Sequence, residues 1–88
     1  MIDWKKFTRK KWEACAIRVT EINMEELAKY LDADIIRPDN PLDRTLEWEG
    51  KSHYYEADIG DWIIRSRTWG EDPYPLSDEQ FRKNFVEL

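Results

Sequence analysis

The sequence predicts an α+β fold: one small domain, built mainly on an antiparallel sheet of about four to five strands, with two short helices. Three observations lead there. The stretch Asp58-Ile59-Gly60-Asp61-Trp62-Ile63-Ile64-Arg65 reads as a turn opening directly into an apolar strand, since β-branched and aromatic residues suit a pleated, half-buried surface. Period-2 alternation returns upstream, at Cys15, Ile17 and Val19 and again across residues 44–57. Two capped, 3.6-periodic stretches begin after Asn23 and after Ser77.

The 88 residues are enough for one domain, which at this size buries roughly 60–65% of its unfolded surface. The 41% hydrophobic share is modest, but five Trp, four Tyr and three Phe compensate with large side chains. The 38% charged share predicts a densely charged surface. No apolar run approaches the ~20 residues of a membrane span, and the first residues lack the apolar stretch of a signal peptide. One cysteine allows no internal disulfide and no metal-ligand spacing. A cytoplasmic protein without membrane association is expected.

The net charge of −5 hides an asymmetry. Residues 1–12 hold Lys5, Lys6, Arg9, Lys10 and Lys11 against Asp3, a local +4, so the remainder carries −9. Phosphates would be repelled over most of that acidic body, which argues against a nucleic-acid partner. Residues 1–11 are expected as a basic N-terminal arm, with Trp4 and Phe7 as spaced anchors, and residues 12–88 as the single domain. If the arm packs, Trp4 should bury against the sheet and the basic residues should meet acids such as Glu47, Glu49 or Glu56. If it does not, it waits for a partner.

Taken in order, Trp12 to Thr20 reads as a strand, with Cys15, Ile17 and Val19 on its inward face. A helix from Met24 to about Leu31 follows. Asn23 is placed as its N-cap, Glu26 completes a capping box, and Ile22 and Leu27 form a hydrophobic staple. Met24, Leu27, Ala28 and Leu31 make its buried stripe. Glu25 and Glu26 lie in the first turn, where the helix dipole favours negative charge. Residues 33–37 form a candidate short strand, and Pro38-Asp39-Asn40-Pro41 a loop. Residues 44–57 read as a hairpin, with Leu46 and Trp48 on one face and Thr45 and Glu47 on the other. Beyond the central strand, the proline-bounded segment before Leu76 suits an edge strand. Ser77 caps the last helix, with Gln80 at N3 and Leu76 and Phe81 as a second staple. Phe81 and Phe85, four apart, should dock that helix on the sheet. Residues 86–88 are a candidate terminal strand.

No catalytic set emerges, and no cofactor or metal site is expected. Gly50, Gly60 and Gly70 stand alone, without a phosphate-binding loop. Ser52 and His53 are adjacent, so a strand would point them to opposite faces. A nucleophilic Cys15 would want a base or a helix N-terminus beside it. His53 reads as a half-exposed packing residue. Asp58 and Asp61 flank a turn, where Asp bonds local backbone. Trp62 is assigned to the core, but Trp4, Trp12, Trp48 and Trp69 are too many to bury fully in so small a domain. Either they are half-covered by the arm and by loops, or they contact a partner, for which exposed Trp is a favoured residue type. The candidate partner-binding residues are Trp4, Trp48, Trp69, Arg65 and Arg67.

The order of several short blocks resembles a family of small bacteriophage proteins. They are Lys10-Lys11, Ala16-Ile17-Arg18-Val19-Thr20, Asn23 with Met24-Glu25-Glu26-Leu27, Gly60-Asp61-Trp62-Ile63-Ile64, Gly70-Glu71, Tyr74-Pro75 and the Phe81…Phe85 spacing. The likeness spans roughly residues 10–87. It departs at Trp12, where the family has proline, at Cys15, often acidic there, and at Asp72-Pro73 and Leu76-Ser77. The resemblance implies a phage accessory protein in the host bacterial cytoplasm and brings no catalytic residues. The expected function is non-enzymatic binding of a host or phage protein, by a monomer or homodimer. The alternatives are a small-ligand module or a minor virion component. The former would take a nucleotide signal, with Trp48, Tyr55 and Trp69 stacking and Arg65 or Arg67 pairing the phosphate.

Overall fold

A computed structural model describes residues 2, 4–9, 12–37, 43–51, 53–66 and 72–87. Eight strands and two helices are found among them: β1 (Lys5–Arg9), β2 (Trp12–Arg18), α1 (Met24–Leu31), β3 (Asp34–Ile36), β4 (Thr45–Glu49), β5 (Tyr54–Asp58), β6 (Trp62–Ser66), β7 (Tyr74–Leu76), α2 (Asp78–Asn84) and β8 (Val86–Glu87). This is the small α+β domain expected, with the strands divided between two sheets. The larger runs β7-β6-β2-β1-β8 and the smaller β3-β4-β5. Every neighbouring pair is antiparallel.

Alternation along β2 and β6 explains the layering. Ile17 pairs with Ile63 and Ala16 with Ile64, so successive residues of each strand enter opposite layers. Ile17 and Ile63 join Met24 and Leu27 of α1 and Leu46, Trp48 and Ala57 of the smaller sheet in one buried cluster. Ala14, Ala16 and Ile64 join Phe81 and Phe85 in a second. The larger sheet is therefore covered by α2 on one face and by α1 with β3-β4-β5 on the other. Ile63 and Ile64 are both fully buried, which makes β6 the strand shared by both cores.

Trp62, expected in the core, is half-buried at the rim of the second cluster. It stacks on Phe81, with ring centroids 4.0 Å apart and planes 8° apart, and its Nε1 donates to Asp78 Oδ1 at 2.9 Å. An indole that needs a partner for its N–H sits best at such an edge. The turn before β6 needs its glycine: Gly60 has φ +99°, and its N–H bonds Val19 O at 2.9 Å.

Residues 5–9, expected within a basic arm, are β1, inside the larger sheet between β2 and β8. Backbone pairing needs no apolar alternation, so a charge-rich strand shows no period. Ile2 and Trp4 pack against the first cluster. Lys5 and Lys6 are exposed, and among the described residues no ion pair joins them to Glu47, Glu49 or Glu56.

The two helix starts differ. Ser77 caps α2 as expected, its hydroxyl accepting from Gln80 N at 3.3 Å. Asn23 stands at the N-cap of α1 but makes no side-chain cap bond. Its amide turns back instead: Oδ1 accepts from Thr20 N and Nδ2 donates to Arg18 O, both at 2.8 Å. The staple residue Ile22 is 94% exposed, so no staple forms with Leu27. With Asn23 in αR backbone, the chain enters the helix from a bonded turn rather than from the extended approach that a cap and staple require.

Candidate functional site

The smaller sheet follows its sequence alternation closely. Ile35, Leu46, Trp48, Tyr55 and Ala57 turn inward. The outer face carries Asp34, Ile36, Thr45, Glu47, Glu49, Tyr54, Glu56 and Asp58, and none of the three strands contains a lysine or arginine. The register sets Asp34 opposite Glu47 and Glu47 opposite Glu56, a row of three carboxylates across the sheet. Two hydrophobic side chains stand on this face in water, Tyr54 at 61% exposure and Ile36 at 47%. Partial loss of hydration, then the charges of Glu47, Asp34, Glu56 and Glu49, raise the Tyr54 hydroxyl pKa.

β3 begins at Asp34, opposite Glu47, so β4 runs on through Trp48 and Glu49 without a β3 neighbour. The gap opens a cleft beside the C-terminal end of α1. One cavity of about 440 Å³ is lined by Leu31, Asp32, Asp34, Glu47, Trp48, Glu49, Gly50 and Tyr54. A second of about 380 Å³ shares Leu31, Trp48, Glu49 and Gly50 and adds Tyr30, Asp72 and Pro73. Gly50 brings the far wall close. A Cβ there would lie 2.6 Å from Asp72 Oδ2 and 2.7 Å from Tyr55 Cε2. Asp72 Oδ2 accepts from Lys51 N at 2.7 Å.

The candidate residues named from the sequence separate into two places. Trp4 and Arg65 meet at Tyr30: the Trp4 and Tyr30 rings are 5.3 Å apart, the Arg65 guanidinium lies 4.9 Å from the Trp4 ring, and its Nη1 donates to Tyr30 Oη at 3.0 Å. That bond, with burial opposing it, raises the Arg65 pKa, and the guanidinium pins the chain start to α1. Trp48 is 3% exposed, with its Nε1 donating to Pro73 O at 3.2 Å and Tyr55 against its ring at 5.6 Å. It is a buried wall of the cleft and not a protruding anchor. Trp69 and Arg67 lie outside the described residues.

Cys15 is buried and faces Arg65 across the β2–β6 pair. Asp61 Oδ2 accepts from Asp58 N at 2.9 Å, and Asp58 Oδ1 accepts from Thr45 Oγ1 at 2.8 Å, so the turn acids serve local structure. Among the described residues no three His, Cys, Asp or Glu side chains converge as a metal-ligand set. Among the same residues no helix is long and apolar enough to cross a membrane. The acidic row was missed from sequence. Glu47, Glu49, Glu56 and Asp58 show the right alternation, but only the register aligns them with Asp34. Comparison with protein-family models, with curated proteins and with solved structures gives no match to this chain.

Proposed function

We propose that this is a bacteriophage accessory protein that works in the host bacterial cytoplasm by binding another protein of host or phage, without catalysis. The observation that carries the reading is the outer face of β3-β4-β5. Like charges directly opposite one another in a sheet are destabilising. The Asp34–Glu47–Glu56 row accepts that cost twice. Stability given up on a surface, beside an exposed Tyr54 and Ile36, is what a binding face requires and what a solvated face does not. The likeness to small phage proteins supports the setting. The nucleotide alternative has less support, because the cleft beside Trp48 is lined by carboxylates that repel phosphate, and Arg65 is engaged with Tyr30 and Trp4.

The test is affinity capture from bacterial lysate with the wild-type chain and with a Tyr54→Ala, Ile36→Asp variant. A specific partner retained by the first and lost by the second is expected. Absence of any specific partner, or equal capture by both chains, would end the reading.

A further inference from the structure

A standard interface buries about 800 Å² on each partner. Three strands ~4.8 Å apart, two of five residues and one of three, present a face of at most about 15 by 17 Å, so a partner held there must reach further. The cleft beside α1 is the adjoining recess, sharing Asp34, Glu47, Glu49 and Tyr54 with the sheet. Resting on the protein-binding reading, we propose that this cleft receives an arginine side chain from a basic segment of the partner protein.

The chemistry of the walls selects the occupant. Leu31, Trp48 and Pro73 form an apolar floor, on which the stem of a long cationic side chain can lie. Asp32, Asp34, Glu47, Glu49 and Asp72 surround it with carboxylates. Among the described residues no lysine or arginine ion-pairs with any of these five. The backbone around the cleft adds to this arrangement. Leu31 and Asp32, at the C-terminal end of α1, line the cleft, and the negative end of a helix dipole favours a cation. That end is nevertheless closed by an acid, Asp32, held in left-handed backbone at φ 54°, the sign the dipole disfavours. Gly50 then allows Asp72 to approach within a distance no side chain would permit. The rims are aromatic, Tyr30 on one side and Tyr54 on the other. A planar guanidinium stacks on such rings and pairs bidentately with carboxylates, which a lysine ammonium cannot do.

The test is a ¹⁵N–¹H titration of the full chain with an arginine nonapeptide, using a glycine–serine peptide of the same length as control. Saturable shifts centred on residues 31–34, 47–50 and 72 are expected. The Glu47→Gln, Glu49→Gln double variant should bind on the order of tenfold more weakly. It should remain folded, because it relieves repulsion. Glu25→Gln with Glu79→Gln, acids on the two helices, should change nothing. Shifts spread over the whole acidic surface, equal weakening by both double variants, or equal affinity for a lysine nonapeptide would overturn the assignment. Lysate capture through Tyr54 would survive that outcome, so the cleft proposal and the protein-binding reading fail separately.

Discussion

Replacing Glu47 by Gln should make the protein more stable, although it removes a charge from a well-formed strand. Glu47 sits between Asp34 and Glu56 in the cross-strand row. Opposed residues in an antiparallel pair are about 5.5 Å apart or less at Cβ. Two unit charges at ~5.5 Å in water repel by about 0.75 kcal/mol, and a Debye length of ~8 Å at 0.15 M salt reduces that to about 0.4 kcal/mol. Two such neighbours give about 0.8 kcal/mol, which in a domain of this size raises the melting temperature by about 3–6 °C. Thermal unfolding followed by circular dichroism is the assay, at 0.15 M and at 1 M salt. The gain should shrink toward zero at 1 M, where the Debye length is only ~3 Å. The Tyr54 hydroxyl, whose pKa Glu47 helps to raise, should titrate lower in the variant. A destabilised variant, or a gain that persists unchanged in high salt, would show that the row does not repel as the register implies.

The remaining expectations concern the two cores and the turn before α1. Ile63→Ala should cost about 2–5 kcal/mol by emptying a fully buried site, and urea unfolding should place Trp62→Ala below it, since Trp62 keeps one side at the surface. Asn23→Ala should cost about 1–2 kcal/mol, through loss of the bonds to Thr20 and Arg18 and not of a helix cap; a Thr20 amide as protected from hydrogen exchange as in the wild type would refute this. Hydrogen bonds from Trp62 and Arg82 lower the Asp78 pKa in the folded protein. A folded value below the unfolded one, ~3.9, means that its contribution is complete above about pH 4 and is lost as pH falls through the folded pKa. Asp78→Asn should flatten the acid limb of the stability–pH curve, and Trp62 fluorescence should report the same step.

Local chemistry carried much of the fold into view. Ser77 as a cap, the hairpin at residues 44–57 and the Phe81…Phe85 spacing on one helix face depend on residues within a few positions of one another. Their energetics are settled before the chain folds back on itself. The departures fell where two possible partners compete for the same group. Asn23 could satisfy the helix start or the preceding turn, and the carbonyl of Arg18 and the amide of Thr20 drew it to the turn. Trp62 carries the largest side chain of its strand, yet Ile63 and Ile64 occupy the two buried layers, because the indole N–H found Asp78 at the edge.

The sequence by itself determined the α+β class, both helices and the period of most strands, because periodicity and capping are properties of neighbouring residues. Only tertiary structure decided that β1 lies inside the larger sheet, that the strands divide into two sheets, and that Trp48 is buried while Tyr54 is not. It also decided that Asp34, Glu47 and Glu56 stand in one row. Those outcomes depend on pairing register across tens of residues, and a shift of one residue would send every side chain of a strand to the opposite face.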